Sequence, residues 1–327
     1  MLRALWESKW LWRLVLAGVL LLVGYAMARA IAQISAEDFT LQPSSLILAF
    51  LCAFLGHLSQ FLNWVLIAAS FGIRMPLARS GKAYFLSRLG RYVPGKVALI
   101  LMRFKEYNGH SRRAITMAMG VDYVSSWAGA GLVVLAGVTA AKGLIPPSVR
   151  YVALALTPVF LLCLYPPILK PTINAVFRIA GRAPLEYFPT FPKMLGFVAA
   201  KCLGCLIHGL AFFLLLRGLT PIEFRYYLVT TGTFFAAGLV GMAAFFAPQG
   251  LGVTEGVLYL VLSAFLPKPA VVFGALVIRL VVSITELLLA GVFVVLDKRY
   301  PLTTAKSDVV EIEDEPGAVH AESHRDN

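Results

Sequence analysis

Charge is scarce in this sequence. Only 14% of its residues are Asp, Glu, Lys or Arg, 59% are hydrophobic, and the mean hydropathy is +0.79. Soluble domains carry roughly a quarter charged residues, so an ordinary water-soluble fold is excluded. Cysteine is scarce too. Cys52, Cys163, Cys202 and Cys205 all lie in apolar stretches, which indicates neither a secreted disulfide scaffold nor a soluble zinc site. Cys202 and Cys205 form a CxxC with His208 nearby, but no fourth ligand accompanies them. Nucleotide-binding loops, HExxH and GxSxG motifs and paired carboxylates at membrane depth are missing. A pump or hydrolase is therefore not expected, nor are catalytic residues, a cofactor or a metal.

Long apolar runs are abundant. They cover residues 14–28, 46–71, 114–141, 151–169, 195–216, 226–247 and 270–296. A helix needs about 20 residues to cross roughly 30 Å of hydrocarbon, so the chain reads as a polytopic α-helical membrane protein. Trp6, Trp10 and Trp12 ahead of the first run suggest an interfacial belt on a retained span, not a cleaved signal peptide.

The net charge of +12 is unevenly divided. Residues 303–327 hold seven acids against Lys306 and Arg325, and read as an acidic, disordered cytoplasmic tail. The remaining body holds 27 bases and 10 acids. Beside membrane spans such bases mark cytoplasmic loops and anionic lipid; nucleic acid is not expected as a partner. Arg3, Lys9 and Arg13 place the amino terminus in the cytoplasm, and Lys298 with Arg299 bring the last span back to that side.

Two stretches interrupt the spans. Residues 83–102 break at Pro94-Gly95, with bases on both sides, and suit a hairpin that enters the bilayer and returns. Residues 226–266 break at Pro248, Gly250 and Gly252, as a second re-entrant hairpin or as one full span with a short return. The order is span, span, hairpin, span, given twice. Three crossings per unit invert the second copy, giving about eight membrane segments in two half-repeats, 1–145 and 146–302. Inverted repeats with broken helices are how many transporters build a midplane site.

Charges at membrane depth persist mainly where they face a cavity or a partner. Arg91, Lys96 and Arg103 surround the first break, where a helix start also favours anions, and together suit a phosphate cradle. Glu255 follows the second break and suits helix capping, gating, proton binding or pairing with a base. Arg279 and Glu286, seven residues apart on the last span, and Asp122 on the span after the first hairpin are too deep for surface charge. Arg279 is expected on the phosphate, with Asp122 and Glu286 in ion pairs or gating. His57, Gln60 and Asn63 form a polar stripe suited to bonds between helices, and Lys201 is a further inward-facing base.

The segment Leu89-Gly90-Arg91-Tyr92-Val93-Pro94-Gly95-Lys96 resembles a signature of the lysylphosphatidylglycerol synthase transmembrane-region family of flippase-like proteins. Pro248-Gln249-Gly250-Leu251-Gly252-Val253-Thr254-Glu255-Gly256 and Ile278-Arg279-Leu280 are similar to two further motifs of that family, in the same order. The resemblance implies re-entrant segments and translocation of charged or polyprenyl-linked lipids in the inner, cytoplasmic membrane. It assigns motif roles to Arg91, Pro94, Gly95, Lys96, Arg103, Gly250, Gly252, Glu255 and Arg279. The aminoacyl-transferring domain of the full synthases is absent from this sequence, so lipid lysylation is not expected. Gln249 and Thr254 depart from the family pattern, which points to a different headgroup. A membrane-embedded lipid transferase, or a non-catalytic partner of a lipid-biosynthetic enzyme, is the alternative expectation.

Overall fold

A computed structural model describes residues 41–90, 97–148, several positions between 150 and 158, 166–179, 188–243, 250 and 252–299. The first apolar run, most of the run at 151–169, the acidic tail, and Arg91, Pro94, Gly95, Lys96 and Pro248 lie outside the described residues.

The described residues form helices and no strand. In chain order they are α1 (Pro43–Ser70), α2 (Leu77–Leu89), α3 (Val97–Glu106), α4 (Arg112–Ala140), α5 (Pro166–Ile179), α6 (Phe191–Leu219), α7 (Tyr227–Ala243), α8 (Val253–Leu262) and α9 (Lys268–Arg299). Five are long and apolar enough to cross a membrane: α1, α4, α6, α9, and α7 together with the 3-10 turn before it. The other helices around the two breaks are short. At 1.5 Å per residue the 13 residues of α2 span about 20 Å, and the 10 residues of α3 and of α8 about 15 Å. None of these three bridges the hydrocarbon alone. The first arm of the second break thus has crossing length, whereas that of the first does not.

Helices α1 and α6 form the central seam and run antiparallel. The Gln42 N–H at the start of α1 donates to the Gly218 carbonyl near the end of α6, while Asn63 farther along α1 donates to the Phe197 carbonyl near the start of α6. Mid-seam contact is reciprocal. Gly56 of α1 lies against the His208 ring of α6, and Gly204 of α6 lies against the Gln60 amide of α1. The same 148 residues separate the two glycines (56 to 204), the two polar residues (60 to 208) and the two helix starts (43 to 191).

The other helices pack around this seam in matching ways. Helix α2 packs on α9 and α7 on α4; α9 packs on α1 and α4 on α6. Helices α2 and α3 pack together, as do α7 and α8. Further contacts join α3 to α4 and α8 to α9.

Two apolar cores lie toward opposite ends of the seam. One gathers Phe61, Trp64, Tyr84, Phe197 and Phe293 around α2 and α3. The other gathers Ala53, Phe212, Leu216, Leu258 and Ile278 around α7 and α8. Between them α1 and α6 present His57, Gln60, Lys201 and His208, a polar layer that pure burial of apolar surface would not select.

Candidate functional site

The polar layer exists because its groups have partners. His57 Nε2 lies 3.1 Å from the Val282 carbonyl of α9, and His208 Nδ1 lies 2.9 Å from the Gly204 carbonyl. The two imidazoles meet edge to face, with centroids 4.8 Å apart. The stripe of His57, Gln60 and Asn63 thus makes bonds between helices: Gln60 donates to the Lys201 carbonyl at 3.5 Å and Asn63 to that of Phe197 at 3.1 Å.

A cluster of charges lies beside this layer. Arg103 of α3 is only 3% exposed. Its guanidinium carbon sits 3.9 Å from the centroid of the Trp64 ring and 5.2 Å from that of Tyr84, and its Nε donates to Ser87 Oγ at 3.2 Å. Desolvated cation–π contacts of this kind contribute about 2 kcal/mol, so aromatic faces fix this cation as much as any acid does. Asp122 of α4 lies between two bases. Its Oδ1 accepts from Lys201 Nζ at 2.6 Å, and its Oδ2 stands 3.8 Å from Arg103 Nη1. Gly129, two turns along α4, makes the first contact possible. A Cβ there would meet Lys201 Cβ at 2.7 Å, so only glycine lets α6 approach this closely.

Arg88 of α2 adds a third base. Its Nε donates to Glu286 Oε1 at 2.6 Å and its Nη1 to the Tyr84 hydroxyl at 3.0 Å. Glu286 is completely buried. Lone buried charges cost several kcal/mol each, and here each described cation of the cluster has an acid, a ring or a hydroxyl beside it.

Glu255 and Arg279 form a second group, partly exposed beside the other core. Gly252 (φ 82°) precedes α8 as its N-cap, and its N–H donates to Glu255 Oε2 at 2.8 Å. The other carboxylate oxygen of Glu255 pairs with Arg279 Nη1. Glu255 therefore both caps its helix and pairs with a base. Gly250 (φ 65°) is required twice: its backbone is left-handed, and a Cβ would meet Gly241 Cα of α7 at 2.5 Å.

The residues singled out from sequence thus fall into two groups. Arg103, Asp122 and Glu286 belong to the first, with Glu255 and Arg279 in the second. Arg279 and Glu286 share a face of α9 yet have different partners, because seven residues of helix separate them by about 10 Å. Arg88, Tyr84, Trp64 and Tyr107 are not among the residues singled out from sequence. The signal available for the aromatics was their spacing: Tyr84 precedes Arg88 by one helical turn.

A bundle of membrane-length helices with paired charges buried between them defines a multi-pass α-helical membrane protein. The family model of the lysylphosphatidylglycerol synthase TM region matches residues 10–290, and the chain belongs to that family. Membership ties it to lipid metabolism or translocation. Among the described residues there is no soluble domain. No curated protein matches the chain.

Proposed function

We propose that the protein binds the phosphate-bearing headgroup of a phospholipid or polyprenyl-linked lipid and moves it across the cytoplasmic membrane without modifying it. The observation that carries this reading is the interchangeable packing of the two halves. Exchanging α1 with α6, α2 with α7, α3 with α8 and α4 with α9 maps the α1–α6 seam onto itself and turns each other packed pair given above into another packed pair. Such exchange symmetry about an antiparallel seam supports an inverted repeat of residues 1–145 and 146–302; the reading adds about eight membrane segments, a re-entrant hairpin at the first break, a re-entrant hairpin or a full span with a short return at the second, and both termini cytoplasmic. Inverted repeats give one central site access to either face.

In each half the short helix after the break faces an opposite charge on the next long helix, with the signs reversed: Arg103 stands 3.8 Å from Asp122, and Glu255 pairs with Arg279. Arg91, Lys96, Arg103 and Arg279 supply cations for a lipid phosphate, whose charge-assisted bonds are about twice as strong as neutral ones. Asp122 holds Arg103 and Glu255 holds Arg279 when the phosphate is absent, Glu286 holds the neighbouring Arg88, and Glu255 gates the second half. The partners are membrane lipids, with a lipid-biosynthetic enzyme as supplier or consumer.

The test is headgroup scrambling in liposomes reconstituted with purified protein. Wild type should equilibrate a labelled anionic phospholipid between leaflets and leave it chemically unchanged. Arg103→Gln combined with Glu255→Gln should abolish the movement. Equal rates in wild type, variant and protein-free vesicles would overturn the proposal, and a modified lipid product would instead favour a transferase.

A further inference from the structure

We infer that Asp122 is an internal counter-anion, holding the Arg103 guanidinium until the phosphate oxyanion of a lipid headgroup, entering sideways past Tyr123, takes its place. This rests on the lipid-binding reading above and assigns one step of it to particular atoms.

The geometry around Asp122 is lopsided. Lys201 holds one carboxylate oxygen at 2.6 Å, while Arg103 stands 3.8 Å from the other, beyond the range of a good charge-assisted hydrogen bond. Arg103 does not depend on Asp122 for its position, because Trp64, Tyr84 and Ser87 hold it. Its Nη1 is therefore an oriented donor with a weakly engaged partner. Asp122 also has somewhere to go, since Lys201 keeps it when Arg103 turns to another anion. Among the described members of the cluster, three bases (Arg88, Arg103, Lys201) face two acids (Asp122, Glu286).

The cluster is also open on a specific side. Arg103 and Lys201 are 3% and 2% exposed, Asp122 is 14% exposed in its side chain, and its neighbour Tyr123 is 42% exposed. Thr116, Gly120, Tyr123 and Trp127 recur at helical spacing as one exposed stripe of α4, and beyond the local backbone of α4 itself nothing lies within 4 Å of where a Gly120 Cβ would stand. Tyr123 is within electrostatic range of Arg103, Asp122 and Arg88. Since α4 has the length and composition of a membrane span, this stripe would meet hydrocarbon in a bilayer. Sequence reasoning singled out neither Tyr123 nor Gly120. An opening toward hydrocarbon admits an amphiphile whose chains stay in the membrane, and it disfavours a water-borne ion.

The experiment follows thermal stabilisation of the full chain in detergent. Three probes are titrated separately: short-chain phosphatidylglycerol, short-chain phosphatidylcholine and inorganic phosphate. Wild type should respond to phosphatidylglycerol at far lower concentration than to the other two. Asp122→Asn removes the competing anion and should lower the phosphatidylglycerol midpoint about tenfold, while scrambling in liposomes falls because nothing displaces the bound phosphate. Asp122→Asn with Lys201→Met removes one charge of each sign. It should show the same tightening and keeps the test available if the single variant does not fold. Unchanged or weakened phosphatidylglycerol binding in these variants, with wild type still responding, would overturn the counter-anion role and leave lipid binding standing. Inorganic phosphate acting as well as phosphatidylglycerol would overturn sideways entry. A wild type that prefers none of the three probes would remove the lipid-anion reading and this inference with it.

Discussion

Arg88 reaches Glu286 at 2.6 Å across 198 residues of sequence, joining the helix before the first break to the middle of the last helix. The carboxylate is wholly buried, so its compensation depends on partners within the protein, Arg88 first among them.

Replacing Glu286 by Ala should therefore do more harm than removing the pair. The single variant strands the Arg88 charge in a low-dielectric setting, with an expected loss of about 3 kcal/mol. Arg88→Met with Glu286→Leu substitutes apolar volume for both charges and should keep most of the stability. Thermal unfolding of the three proteins in one detergent decides the matter. Equal losses in single and double variants would mean that the ion pair is not what Glu286 contributes.

The glycines at helix contacts predict an order of damage. A Cβ on Gly137 of α4 would stand 2.8 Å from Gly232 Cα and 2.7 Å from the Leu228 carbonyl, so Gly137→Ala pushes backbone against backbone. Gly56→Ala meets the His208 ring, which is held by the Gly204 carbonyl, whereas Gly204→Ala meets the end of the flexible Gln60 side chain. Overpacking costs about 1–3 kcal/mol, and the expected ranking is Gly137→Ala worst, Gly56→Ala next and Gly204→Ala mildest. Adding His208→Ala should relieve Gly56→Ala. Melting temperatures measured across the set, in any other order, would contradict these contacts.

Tyr107, after the short α3, predicts a pH dependence. The Trp64 indole N–H donates to its hydroxyl oxygen at 2.6 Å, and that hydroxyl donates to the Ser80 carbonyl at 3.4 Å. Burial pushes the phenol above its ordinary value of about 10. The folded state therefore holds this proton more tightly than the unfolded state. The resulting stability is complete below about pH 10 and is lost as pH rises through the folded value. Tyr107→Phe should flatten that alkaline decline, while losing about 1–3 kcal/mol at neutral pH because the Trp64 N–H is left unpaired. Stability followed from pH 8 to 11 checks both parts, and an alkaline slope identical in the two proteins would exclude Tyr107 as its source.

Hydropathy alone located α1, α4, α6, α7 and α9, because in lipid the apolar run is the structure-determining signal. The same logic made Arg103, Asp122, Glu255, Arg279 and Glu286 conspicuous, since a charge inside such a run needs a reason. Their pairing was harder to read. Lys201 and Asp122 are 79 residues apart, and which two helices pack decides who meets whom. Periodicity says that Arg279 and Glu286 share a face but not that each meets a different helix there. Arg88 was not conspicuous because its own helix is short and moderately polar; its depth comes from α2 lying against α9. The seam glycines were lost among 27 in the chain, since nothing in a single sequence marks which glycine another helix will approach.

The reciprocal seam limits how the two halves can move. Gly56 receives His208 and Gly204 receives Gln60, so each helix carries both a notch and the peg for the other's notch. Sliding α1 along α6 by even one turn would lift both pegs at once and drive them into filled positions. Tilting about the seam leaves them seated. The joint therefore acts as a hinge pin with its register locked, about which the helices packed on either side can rock while α1 and α6 keep their alignment.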